Sequence, residues 1–167
     1  SSGNGGLPHL TGELLNNVAG IQTVHIAYKG SAPGMNDLIG GQVQLGYDTV
    51  AIGLQHIKTG RLRALATTGP KRLAILPDVP STSEFASGLE AVNWYGMVVP
   101  AGTPREAILR LNREITKVLE MPDIKEKLVS QGIDPAANSP EEFGEFMKSE
   151  AAKWARVIRA ANIKPDS

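Results

Sequence analysis

Cysteine is absent from this chain of 167 residues, which excludes disulfides and thiol chemistry and leaves the compartment open. Aromatic residues are scarce at 5%, and none interleaves with a dense basic run. Charge of one sign is not in excess either, because 17 Lys and Arg balance 17 Asp and Glu, so nothing recommends a nucleic-acid surface. Long apolar runs are missing: charged, Gly or Pro residues interrupt every hydrophobic stretch well short of the roughly 20 residues that span a bilayer. His9, His25 and His56 have no companions at metal-ligand spacing, so no metal site or cofactor is expected. No signal peptide is visible, as in a cytosolic protein, a processed exported one or a fragment. A chain of this size buries roughly 70% of its unfolded surface, enough for a proper core.

Glycine and proline, by contrast, are plentiful and punctuate the chain, and the rest of it is organised around Val24 to Asp48. Val24 to Tyr28 reads as a strand that enters a turn at Lys29-Gly30. Ser31 is placed to cap a helix whose early Pro33 needs no donor. Val43, Leu45 and Tyr47 then alternate as a second strand, and Asp48-Thr49 can cap a helix running through Ile57 to Gly60. Helix starts at strand ends present free amides and a positive dipole end, so a carboxylate or phosphate can sit at Gly30-Ser31. A tight crossover turn without a ligand fits the same pattern.

Ahead of this unit, Ser1 to Gly6 is a glycine-rich loop followed by an amphipathic helix with Leu10, Leu14, Leu15 and Val18 on one side. Gly3, Gly5 and Gly6 let backbone amides approach a ligand, and Ser2 and Asn4 add side-chain polar groups, making a second candidate anion nest. The dinucleotide fingerprint fails because Pro8 stands where its third glycine belongs, and there is no phosphate-loop lysine. A flexible terminus or tag scar is the bland alternative. In α/β folds such loops leave a strand, so the abrupt start suggests a chain cut from something longer.

Beyond Gly60, Arg61 to Thr67 reads as a strand and 69 to 80 as an irregular, Pro-containing stretch. Ser81 to Glu84 has capping-box spacing for a short helix, and Asn93 to Val99 reads as another strand. Thr103-Pro104-Arg105-Glu106 is a capping box opening a helix that buries Ile108, Leu111, Ile115, Val118 and Leu119. Met121 to Asp123 starts a short helix ended by Gly132. Ser139 to Glu142 begins a long one in which Phe143, Phe146 and Trp154 recur at helical spacing and read as core. The pattern is α/β with a mainly helical C-terminal third.

Several ordered motifs carry a family resemblance: Gly3-Asn4-Gly5-x-x-x-His9-Leu10, Tyr28 to Pro33, Gly40-Gly41-Gln42-Val43, Leu76 to Pro80 and Trp94 to Pro104. Over essentially its whole length the chain resembles the Bug family, the extracytoplasmic substrate-binding receptors of tripartite tricarboxylate transport systems. The resemblance implies a type II-like periplasmic binding protein with two α/β lobes around a cleft. It also implies a small carboxylate as ligand, membrane transporter subunits as partners, and a periplasmic location without membrane insertion. Family members are longer, so the first-lobe N-terminal segment is expected to be missing. Residues 1–92 would then be the second ligand-binding lobe, and 93–167 the crossover strand and helical segment that complete the first. Carried over by position, the ligand loop is Ser2, Gly3, Asn4, Gly5 and Gly6, with Gly6 where a serine is common. Tyr28, Gly30 and Ser31 match the next cleft-facing turn. Asp48 and Thr49 match the acidic strand end, while Gln44 and Gly46 depart from the family's usual residues there.

Catalysis is the competing class. Ser2 or Ser31 with a histidine base and Asp48 as orienting acid matches no recognised elbow or triad, so an enzyme is not expected. His25 reads as a satisfied core residue, His56 as solvated, and His9 as a brace for the glycine loop. An interaction module with a vestigial cleft is a further alternative. Unpaired apolar helices left by an absent half-lobe would favour a homodimer.

Overall fold

A computed structural model describes residues 1–163 of the chain. Its helices are α1 (Leu7–Ala19), α2 (Ser31–Ile39), α3 (Val50–Lys58), α4 (Arg105–Glu120), α5 (Pro122–Ser130) and α6 (Pro140–Ala160), with a 3-10 turn at Thr82–Glu84. Contacts divide the chain into one unit of Ser1–Asn93 with the segment from Trp154 onward, and a second of Trp94–Lys153.

The helices follow their punctuation. Pro8 stands in the first turn of α1, and Gly20 ends it in the left-handed conformation at φ 64°, where a side chain would be strained. Two capping boxes form, the one at Ser81 as its spacing predicts and another at Ser139, which the sequence marks only as a helix start. Ser81 accepts from the Ser83 amide while Glu84 accepts from the Ser81 amide, and Ser139 and Glu142 bond reciprocally at the start of α6 at 2.8–3.2 Å.

Other caps differ from the sequence reading. Ser31 is the first residue of α2 and Gly30 takes the cap position at φ 108°, a backbone conformation that favours glycine over serine. The box expected at Thr103 does not form: Pro104 is the cap residue, and the Thr103 hydroxyl donates to the Pro100 carbonyl at 2.8 Å. The apolar side of α4 is also less covered than expected, for Leu111 and Val118 are exposed and no residue of the helix is fully buried.

The four expected strands are corrected most strongly. Among the described residues none forms a sheet, and the single bridge is a parallel one between Thr67 and Ser81. The reason lies in what a strand is: an extended segment becomes one only when a neighbour takes its amides and carbonyls. Residues 21–28 come nearest. Ser1 donates its nitrogen to the Ile26 carbonyl at 2.8 Å and accepts the Tyr28 amide at 3.0 Å, the alternation of a parallel pair. At the head of residues 91–100 the Ala91 amide donates to the Thr68 carbonyl at 2.9 Å, yet no strand forms there, and Tyr95, Met97 and Val98 are exposed.

The first unit is held by a modest core. Leu10, Met35, Leu54, Leu89 and Ala91 are buried, together with Ser81 and Thr82. Those two polar residues tolerate burial because each hydroxyl is satisfied, Ser81 by the Gly69 carbonyl and Thr82 by the Leu89 carbonyl. In the second unit Trp94 packs edge-on against Phe143 and Phe146, with ring centroids 5.6 and 5.4 Å away. Both phenylalanines are half-buried, so the aromatic core expected of α6 is a partial one.

Candidate ligand-binding site

Three turns carry the ten candidate residues, and each opens a helix in the first unit. Ser2 to Gly6 leads into α1 with Gly6 as its cap, Tyr28 to Ser31 into α2, and Asp48-Thr49 into α3 with Thr49 as its cap. None of the three starts has a side-chain cap, so first-turn amides remain for water or a ligand, although in α3 the Ile52 amide already donates to the Thr49 carbonyl at 3.1 Å.

The first two turns are brought together by backbone bonds. The Tyr28 amide donates to the Ser1 carbonyl and the Gly30 amide to the Ser2 carbonyl, both at 3.0 Å. Gly3 lies close enough that a Cβ on it would stand 3.9 Å from the Tyr28 carbonyl. The third turn comes alongside α1 through Tyr47, whose ring lies against Gly12: a Cβ there would meet the ring at 3.3 Å. Asp48 is near enough for its charge to act on the Ser1 nitrogen.

Side chains at these turns differ in what they have left to offer. The hydroxyls of Ser2, Ser31 and Thr49 make no hydrogen bond to the described residues and are open to a ligand, whereas the Tyr28 hydroxyl is already committed, donating to Asp37 Oδ2 at 2.8 Å. That bond, with partial burial, raises the Tyr28 phenol above its usual range. Asp48 is exposed and uses one oxygen to accept the Thr49 amide at 2.8 Å. The other is free to take a hydrogen bond. Asn4 already has a protein partner. Gly46, which departs from the family's usual residue, leaves room for Leu38, whose Cδ2 would stand 2.9 Å from a Cβ.

Behind the loop lies a group that sequence reasoning only partly anticipated. His9 braces the loop, accepting the Gly5 amide on Nδ1 at 2.9 Å. Its ring is stacked on His25, with centroids 3.7 Å apart, and His25 Nε2 meets the Ser1 hydroxyl at 2.5 Å. Burial, then the neighbouring His9 and the Ser1 amine, push the His25 imidazole below its ordinary value, with Glu13 opposing. The signal was present in the spacing: His9 is four residues after Gly5, one helical turn, and His25 alternates with Val24 and Ile26, away from their face. Ser1 was not among the candidates. His56 is half-buried in α3 rather than solvated.

A serine hydroxyl on an imidazole is the first element of nucleophilic catalysis. The second is missing, because His25 Nδ1 has no orienting carboxylate or carbonyl among the described residues, and Ser1 Oγ also lies 2.9 Å from the Gly3 carbonyl. A cleft of 210 Å³ lies toward the other end of α1, lined by Glu13, Asn16, Asn17, Ile21 and Val157 among others. None of the ten candidates lines it. No group of three or more His, Cys, Asp or Glu is placed to hold a metal ion, and no helix is long and apolar enough to cross a membrane, among the described residues.

The architecture is that of the solute-binding proteins. Among solved structures, the chain superposes on an R. palustris protein, Rpa4515, determined with adipate, at TM-score 0.82 and 31% identity, covering 97% of this chain and 55% of that one. The periplasmic binding protein BugD matches at TM-score 0.75 and 33% identity, over 95% of this chain and 54% of its own. A Pseudomonas sp. (strain P51) relative, the UPF0065 protein in the tcbD-tcbE intergenic region, is 39% identical over 160 residues, 95% of this chain and 48% of that protein. The family model for the tripartite tricarboxylate transporter family receptor matches residues 1–163, and the chain belongs to that family. It spans about half the length of most curated relatives it matches. Members of this family are periplasmic solute-binding receptors rather than enzymes.

Proposed function

We propose that this chain is a ligand-binding lobe of an exported receptor that captures a small dicarboxylate and hands it to the membrane subunits of a tripartite transporter. The observation that carries the reading is the pairing of the glycine loop with the Tyr28–Ser31 turn, through Ser1 and Ser2, beneath three uncapped helix starts. Residues 1–92 act as the second lobe and 93–167 as the segment that completes the first. Ser2, Gly3, Asn4, Gly5, Gly6, Tyr28, Gly30, Ser31, Asp48 and Thr49 form its share of the cleft. Amides of α1 and α2 with the Ser2 and Ser31 hydroxyls receive carboxylate oxygens, while Asp48 takes a hydroxyl, an amine or a bridging water.

Magnitudes support this division of labour. Hydrogen bonds involving a charge contribute about 1.5–3 kcal/mol each, against about −8 kcal/mol for a micromolar site, so about three to six suffice before ordering costs are subtracted. Water exclusion by a second lobe strengthens each of them, so the chain by itself binds more weakly than micromolar. Adipate, seen with the R. palustris relative, is the natural probe. Replacing the open hydroxyls in Ser2→Ala/Ser31→Ala removes two donors and weakens adipate binding by roughly tenfold or more in calorimetry. Unchanged affinity in that folded variant would place the carboxylate elsewhere. The exposed apolar side of α4, with Leu109, Leu111 and Val118, favours self-association of this chain, and a strict monomer in sedimentation at high concentration would remove that part.

A further inference from the structure

His9 and His25 reach each other from α1 and from the extended segment before Lys29, with ring planes within 9°. His9 is buried, at 7% exposure, and the nitrogen that accepts the Gly5 amide carries no proton. Neutral His9 therefore keeps its proton on Nε2, which lies 3.8 Å from Glu13 Oε1. His25 reaches the loop by a second route, through Ser1 Oγ, which lies 2.9 Å from the Gly3 carbonyl. Both rings thus end on the glycine loop, one at Gly5 and one at Gly3.

We infer that the stacked His9–His25 pair is a one-proton switch for the glycine loop, holding Gly5 when neutral and releasing it when a proton binds His9 Nδ1. The proton comes from solvent and turns the acceptor into a donor facing another donor, so the Gly5 bond is lost. Two imidazolium rings at 3.7 Å oppose each other, so the pair takes up one proton before it takes a second. Glu13 on α1 and the Ser1 amine, on which Asp48 in turn acts, are charged groups beside the pair. Tyr47, the phenol packed beside Glu13, stays neutral because burial and that carboxylate raise it. Burial first, and then His9, lower His25, so we place the proton on His9. Any effect on carboxylate capture rests on the receptor reading above, and the test avoids it by following the loop directly.

The experiment is a pH series of ¹H–¹⁵N spectra of this chain from about pH 8 to 5, with the histidine ring protons followed alongside. The Gly5 amide proton moves upfield on acidification, along one curve shared with the two rings. In His9→Asn the side-chain oxygen takes the place of Nδ1 without titrating, so the Gly5 resonance holds its neutral-pH position throughout. A wild-type Gly5 resonance that does not follow the rings overturns the switch, whatever adipate does. So does a Gly5 resonance that titrates equally in His9→Asn. The wild-type series decides alone if the variant does not fold.

Discussion

Glu84 serves two partners with one carboxylate. It accepts from Arg72 Nε and Nη2 at 2.8 Å each and from the Ser81 amide at 2.9 Å, closing the capping box with the same side chain that anchors Arg72. Arg72 is the larger cause and the Ser81 amide the second in holding this carboxyl down to about 2, from an ordinary 4.5. A depressed acid contributes stability above its unfolded value and loses it as pH falls toward the folded one. Thermal melts should therefore show stability falling between about pH 4.5 and 2, with a flatter profile in Glu84→Gln. Parallel profiles would remove the linkage. His25 has the opposite chemistry and the same direction. Its lowered value means the unfolded chain takes protons more readily, so stability declines as pH drops through about 6.5, and His25→Asn should lose that decline in denaturant titrations at pH 7.5 and 5.5. At this scale the sequence exposed the loop glycines and the His9 brace through local spacing. The Ser1–His25 contact escaped it, because it joins positions 24 residues apart.

Two elements in the second unit show what local pattern can and cannot carry. Ser139 with Glu142 is a capping box whose bonds all form, so Ser139→Ala should cost about 1 kcal/mol in chemical denaturation, and Glu142→Gln less. No change in Ser139→Ala would mean that α6 starts elsewhere. Gly96 depends on an aromatic that lies 47 positions later in the sequence. A Cβ there would meet the Phe143 ring, with Cε1 at 2.9 Å, and the rigid ring is itself held by Trp94 and Phe146. Gly96→Ala should destabilise this unit by about 1–3 kcal/mol, read as an earlier midpoint by tryptophan fluorescence, with Phe143→Leu relieving part of the loss. Helix starts and stops were legible because proline, glycine and the box residues act within one turn. Strands were not, because a period of two specifies a face and not a partner: Val24 and Ile26 alternate as a strand should, yet both are exposed.

For the whole molecule, the family was legible because its motifs are loops and turns, each set by a few adjacent residues, and these are the same places where three helix starts stand uncapped. Sheet formation was not legible, since it depends on long-range pairing. The chain spans 48% of its Pseudomonas relative, and this proportion bears on the affinity expected of it. On the proposed reading, a single lobe would offer amides and hydroxyls to a carboxylate on one side only, leaving the other side of the ligand in water, where each bond is worth least. The most direct measurement is calorimetric titration of adipate, with the neutral diamide as control, into this chain alone and into this chain mixed with the complementary half of a full-length relative. The account predicts heat from adipate and not from the diamide, weaker than micromolar for the chain alone and stronger once the halves assemble. Equal responses to acid and amide, or silence from adipate in a demonstrably assembled complex, would contradict it.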